Sequence, residues 1–153
     1  MKTAMAIAAA FLSLGVLPAF AEDKPATLVI QDGTNLVPLT NGATVWGDRD
    51  WVWSEVPDIL AGKNFTKYQN AHKGAIRAKA LTAGKVVLAI TERWEAGQDD
   101  EARLIRDGWT KQGTSLKTSD GTDWRIWTKD CPEGDIIHYQ TEKYIAPIVI
   151  FLE

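Results

Sequence analysis

The chain has 153 residues, with 17 Lys and Arg against 20 Asp and Glu, seven Trp and one Cys. A formal net charge of −3 argues against binding nucleic acid by bulk electrostatics. A single cysteine, Cys131, leaves no internal disulfide, so packing must stabilise the fold, and the length suits one domain with one core.

In chain order, MKTAMAIAAAFLSLGVLPAFA reads as a secretory signal peptide. Lys2 supplies the charged start, Met5 to Val16 the apolar stretch, and Ala19-Phe20-Ala21 a small-x-small cleavage site. The apolar run is too short for a membrane span of about 20 residues, and no second such run follows. The expectation is therefore a signal peptide at 1–21 and a single domain at 22–153, secreted or periplasmic, without membrane insertion after cleavage. Removing the first 21 of 153 residues leaves 132, and losing Lys2 takes the net charge from −3 to −4.

The mature chain shows short strand-like segments separated by turn signals, the pattern of an antiparallel sandwich. ATLVIQ (26–31) precedes Asp32-Gly33, and Asn41-Gly42 precedes ATVW; both dipeptides favour tight turns. GAIRAKAL (74–81) alternates Ile76, Ala78 and Ala80 with Arg77 and Lys79, one face for the core and one for water. KVVLAIT (85–91) is apolar at both parities, a strand covered on both sides. One helix is predicted in QDDEARLIRDG (98–108): acids fill its first turn, Arg103 and Arg106 its last, and Gly108 stands where a left-handed cap belongs. TSLKT, DWRIWTK, DIIHYQT and YIAPIVIFL are the remaining strands, with SDGTD and CPEGD as turns. Pro147 within the last of these predicts an edge strand or a bulge. The expected fold is all-β, an antiparallel jelly-roll-like β-sandwich with one short helix.

The tryptophans carry the functional argument. Burying one indole removes about 150–250 Å² from water, a gross gain of about 4–6 kcal/mol at about 25 cal/mol/Å², against a net domain stability of about 5–15 kcal/mol. A protein without disulfides must keep most of its seven indoles dry and can spare two or three for contact. In DWVWS, Trp51 and Trp53 share one parity, assigned to the inner face. In DWRIWTK, Trp124 and Ile126 share one face, while Trp127 shares the other with Arg125 and Lys129. Trp127 is thus expected to stand outward between two cations. Two readings of that arrangement are open: a platform for the apolar face of a sugar with Arg125 bonding its hydroxyls, or cation–π packing on a surface ring. Trp94, with Glu92 and Arg93, follows a buried strand into a loop, and Trp109 follows the helix cap; each is either part of a binding site or a hydrophobic closure of the core.

GDRDW (47–51), VPDILAGKNF (56–65), KVVLAI leading into TERW, GWTKQG and WRIWTKDCPEGD together resemble a β-sandwich accessory module of large secreted bacterial proteins. Such modules often stand beside carbohydrate-active enzyme domains. The resemblance covers about residues 45–140 and implies an ancillary role, glycan binding or packing on a catalytic neighbour, with no catalytic residue carried over. Against that family's pattern, the expectation here is nearly the bare module with its own export signal.

Sequence motifs for other chemistry are absent. His72 and His138 lie far apart and outside any close metal-ligand spacing. There is no GxSxG, and Ser54, Ser115 and Ser119 have no evident His and acid partners. No phosphate loop or dinucleotide fingerprint occurs, so neither a cofactor nor a metal is expected. Cys131, before Pro132 in a turn, reads as a packed or incidental thiol. Asp48, Asp50, Asp120 and Asp123 form no complete calcium loop, and Asn64-Phe65-Thr66 matches a glycosylation acceptor by chance in a bacterial-looking exported chain. Glu92, Asp99, Asp100, Glu101 and Asp107 could supply a glycosidase carboxylate pair, although the helix dipole already accounts for 99–101.

These readings converge on a non-catalytic module that binds glycan through Trp127, Arg125, Trp94, Arg93, Trp109 and Glu92. A protein-interaction or inhibitory module using the apolar C-terminal strand is the alternative, and a small hydrolase using Glu92 is a third. A glycan or a secreted protein is the expected partner; the oligomeric state is left open.

Overall fold

A computed structural model describes residues 24–30, 35–69, 75–91, 96–140 and 147–153. The described chain forms ten strands and one helix: β1 (Leu28–Ile30), β2 (Asn35–Pro38), β3 (Trp53–Glu55), β4 (Asn64–Lys67), β5 (Ala75–Ala80), β6 (Gly84–Thr91), α1 (Ala96–Arg106), β7 (Thr110–Thr118), β8 (Asp123–Cys131), β9 (Ile136–Gln140) and β10 (Ile148–Phe151). They assemble as a three-stranded sheet, β1-β5-β9, and a seven-stranded sheet, β2-β4-β10-β6-β8-β7-β3. Every named pairing is antiparallel. This is the all-β antiparallel sandwich with one short helix that the strand pattern predicts.

The large sheet curls. Trp53 on edge strand β3 places its ring 5.8 Å from Phe65 on β4, although four strands separate them in the sheet order. The concave face holds Phe65, Ile148, Ile150, Val87, Ala89, Trp124, Ile126, Leu116 and Trp53, assigned by cross-strand register and all buried. β6 is dry on both faces, as its two apolar parities require: Val86 through Thr91 are buried without a break. β5 alternates as predicted, with Ala78 and Ala80 buried and Arg77 and Lys79 exposed; the side chain of Ile76 lies outside the described set.

β10 departs from expectation. It is neither an edge nor bulged, but lies between β4 and β6 with all four residues buried. The reason is its start: Pro147 immediately precedes the ladder rather than standing within it, so its missing N–H costs no ladder bond. Thr66 Oγ1 also accepts from Val149 N at 3.0 Å. The apolar strand thus completes this chain's own core, which removes the observation that favoured it as an interaction strand.

The segment leading into β1 joins the two sheets. Ala26 N donates to Lys85 O (3.0 Å) and Lys85 N to Lys24 O (2.9 Å), a parallel addition to β6 at Pro25–Lys85, before Leu28–Ile30 pairs with β5. Gly84 makes room for it: a Cβ there would lie 2.5 Å from the backbone at Pro25 and Ala26, far inside van der Waals contact. Near this crossing, the Thr27 hydroxyl bonds the Glu153 carboxylate.

Candidate functional site

Three of the six sequence candidates, Arg125, Trp127 and Trp109, gather beneath α1. Glu92, Arg93 and Trp94 lie outside the described residues. The helix forms where the charge pattern places it, and its end is a hydrogen-bonded left-handed cap: Trp109 N donates to Leu104 O at 2.9 Å and Gly108 N to Ile105 O at 3.1 Å, with Gly108 at φ 86°. This is the paired-bond Schellman arrangement, and the buried Leu104 and Trp109 supply its characteristic apolar contact. Trp109 therefore anchors the helix end.

α1 lies over the second face of β8. Glu101 Oε2 accepts from Arg125 Nη1 at 2.9 Å and its Oε1 from Lys111 Nζ at 3.5 Å. A methyl group at Gly108 would stand 3.8 Å from Lys129 Cε. The helix so spans Arg125, Trp127 and Lys129, the residues that parity puts together. Parity is correct in separating Trp127 from Trp124 and Ile126, but the expectation that Trp127 stands outward is overturned: it is 2% exposed. The face is roofed by an element that the strand's own sequence does not encode. Arg125 is half-buried and engaged with the helix rather than open to a ligand's hydroxyls.

A different ring reaches water. Of the six tryptophans among the described residues, Trp46, Trp53, Trp109, Trp124 and Trp127 are buried and Trp51 is only partly so. Trp51 stands where a hairpin-like pair of segments turns. Val45 N donates to Trp51 O (3.0 Å), Trp53 N to Ala43 O (3.0 Å) and Gly42 N to Trp53 O (2.8 Å). Trp46 backs it edge-on, with ring centroids 5.7 Å apart and planes at 64°. Behind Trp46 lies Trp124 at 5.3 Å, and Trp53 lies 5.4 Å from Trp124, so the part-exposed Trp51 ring is held by a stack of buried ones. Such edge and tilted contacts suit the ring quadrupoles.

Polar groups surround this tip. Asp48 and Asp50 are exposed and Arg49 is partly so. Gly47 N donates to Tyr68 O at 3.0 Å, and the Gln69 side chain sits where a Cβ on Gly47 would be. Val52 and Ser119 exchange two bonds, Val52 N to Ser119 Oγ at 3.2 Å and Ser119 N to Val52 O at 2.9 Å. Asp120 is committed to its own turn, accepting from the hydroxyls of Thr118 (2.7 Å) and Thr122 (2.8 Å) and from Thr122 N (3.2 Å). Asp123 lies 4.0 Å from Lys117, whose pKa is raised by its hydrogen bond to Glu55 and then by the charges of Glu55 and Asp123. Among the described residues no group of three or more His, Cys, Asp or Glu is placed to hold a metal ion. Cys131 is buried, and desolvation pushes its thiol up to about 11, which marks it as packed rather than reactive.

The partial exposure of Trp51 was not expected from the sequence, because its parity with Trp53 sent both rings inward. A usable signal was present: Trp51 directly follows Gly47-Asp48-Arg49-Asp50, a run of turn and charged residues that puts the ring at the mouth of the strand rather than within it.

No protein-family model and no curated protein matches the chain. Solved structures that share its fold include two glycoside hydrolases. One is a beta-glucuronidase from glycoside hydrolase family 2, at TM-score 0.53 and 14% identity over 80% of this chain and 14% of that one. The other is a glycoside hydrolase family 138 enzyme targeting pectin rhamnogalacturonan II, at TM-score 0.60 and 12% identity over 84% of this chain and 16% of that one. This chain spans about one-sixth or less of either enzyme, and at these identities the likeness is one of fold. The sandwich therefore recurs as a small part of carbohydrate-active enzyme chains.

Proposed function

We propose that this chain is an exported, non-catalytic β-sandwich module that binds glycan at the Trp51 tip. The observation that carries the reading is the placement of one part-exposed indole on a rigid stack of buried ones, bordered by Asp48, Arg49, Asp50 and Gln69. An indole face accepts the C–H face of a pyranose, and carboxylates, guanidinium and amide nearby can bond its hydroxyls. The recurrence of the fold in glycoside hydrolase chains supports a carbohydrate context. Arg125, Trp127 and Trp109 act in this reading as the packing that holds α1 on the sheet.

The test is a glycan array probed with the wild-type chain and with Trp51→Ala, followed by titration of any hit. Retention by wild type and loss of at least tenfold in affinity for Trp51→Ala is the expected result. Equal retention by the two proteins, or no retained glycan for wild type, overturns the reading.

A further inference from the structure

The outward face of the three-stranded sheet carries a second surface. Cross-strand register puts Val29, Lys79 and Ile136 in one row and Arg77 and His138 in the next. Leu81 continues β5 past Lys79, its N–H bonded to Thr27 O at 2.8 Å. All six side chains are exposed, and the aliphatic ones substantially so: Val29 42%, Leu81 48% and Ile136 58%. The face thus presents Lys79 among three aliphatic side chains, with Arg77 and His138 alongside. Among the described residues the three strands themselves put no carboxylate on this face, in a chain whose formal net charge is −3; the Glu153 carboxylate reaches its Thr27–Leu81 margin through the Thr27 hydroxyl, and Glu133 and Asp135 lie beyond it, in or beside the β8–β9 turn.

From this face we infer that the module adsorbs reversibly on an anionic lipid bilayer surface, through Arg77 and Lys79 at the headgroups and Val29, Leu81 and Ile136 at the headgroup–acyl boundary. Arg77 and Lys79 at the centre of the face are complementary to such a surface, and the apolar side chains decide between anionic partners. A hydrated polyanion would leave the three aliphatic side chains in water, whereas a bilayer boundary removes them from it. A bilayer needs no shaped counterpart, and each Lys or Arg close to an anionic leaflet strengthens adsorption by about fivefold. The face is independent of Trp51, so the inference does not rest on glycan binding.

The experiment is co-sedimentation of the full chain with vesicles of phosphatidylcholine containing phosphatidylglycerol, with pure phosphatidylcholine vesicles and soluble polygalacturonate as comparisons. Binding to the phosphatidylglycerol vesicles is expected to exceed that to phosphatidylcholine by at least tenfold. It should fall by at least about twentyfold in R77E/K79E, from two lost cation contributions, and severalfold in Ile136→Ser. It should also weaken with added salt, as the screening length shrinks from about 10 Å at 0.1 M toward about 3 Å at 1 M. Trp51→Ala should bind vesicles as wild type does. The inference is overturned by equal binding to both vesicle types, by full retention in R77E/K79E with an unchanged circular dichroism spectrum, or by polygalacturonate capturing the chain through this face while the vesicles do not.

Discussion

Trp127 lies on β8 of the large sheet and Trp51 just before its edge strand β3, yet one is shut beneath a helix and the other reaches water. Their local sequences suggest the reverse. Trp127 shares its parity with Arg125 and Lys129, and Trp51 shares its parity with the fully buried Trp53. Side-chain alternation assigns a residue to a face of a sheet, but whether that face is wet depends on what lies across it. For β8 the cover is α1, locked by Glu101 to Arg125 and Lys111 and by the Trp109 anchor. Trp51 lies outside the named strands, and its ring rests on Trp46 and stays partly exposed.

The comparison is broken most directly by deleting each ring. Trp127→Ala should cost about 3–5 kcal/mol, the range for emptying a large buried aromatic site, read as a lowered urea midpoint with the slope unchanged. Trp51→Ala should cost roughly half that or less, since only part of its surface is dry, while abolishing glycan retention. A stability loss for Trp51→Ala equal to that of Trp127→Ala would make the two rings equivalent core members.

A smaller change sharpens the same contrast by loosening the roof without touching the ring. Gly108→Ala keeps ample space, its new Cβ meeting nothing closer than Lys129 Cε at 3.8 Å, but forces an L residue to φ 86°. The expected cost is about 1 kcal/mol, with faster access of acrylamide to buried indole. Glu101→Gln, which removes one side of a half-buried ion pair, should cost less again, about 0.2–1 kcal/mol, and the difference should shrink in high salt. An unchanged quenching profile in both variants would mean that α1 is not what keeps Trp127 dry.

The residues themselves show how far the sequence carries. β6, β5 and α1 are legible because their signals are local: two apolar parities, strict alternation, and acids, arginines and a glycine in helical order. Most of the indoles being dry was legible from energetics alone, since a chain without disulfides cannot leave several such rings in water. The curl that brings Trp53 to Phe65, the burial of β10 between β4 and β6, and the roofing of Trp127 all depend on elements distant in sequence. Proline at 147 illustrates the limit: its incompatibility with a central ladder is correct, but whether it stands inside the strand or one residue before it is decided by register.

The least perturbing test uses another residue on the roofed face of β8. Cys131 has the parity of Trp127 and is buried, and desolvation pushes its thiol from 9.0 up to about 11. The folded chain therefore holds this proton through a range in which the unfolded chain releases it. With fewer protons bound to the unfolded state, stability must fall as pH rises from about 9 toward about 11, and the contribution is fully present below about 9. Lysines and tyrosines titrate in the same range, so the informative quantity is the difference between wild type and Cys131→Ala. That difference should be flat up to about pH 9 and narrow above it, as only wild type pays to keep its thiol neutral or to bury a thiolate. Iodoacetamide should correspondingly label the native thiol much more slowly at pH 8 than the urea-unfolded one. A flat difference through pH 11, or equal labelling rates, would mean that this end of β8 admits water, and that the dryness of Trp127 is confined to the part of the strand α1 covers.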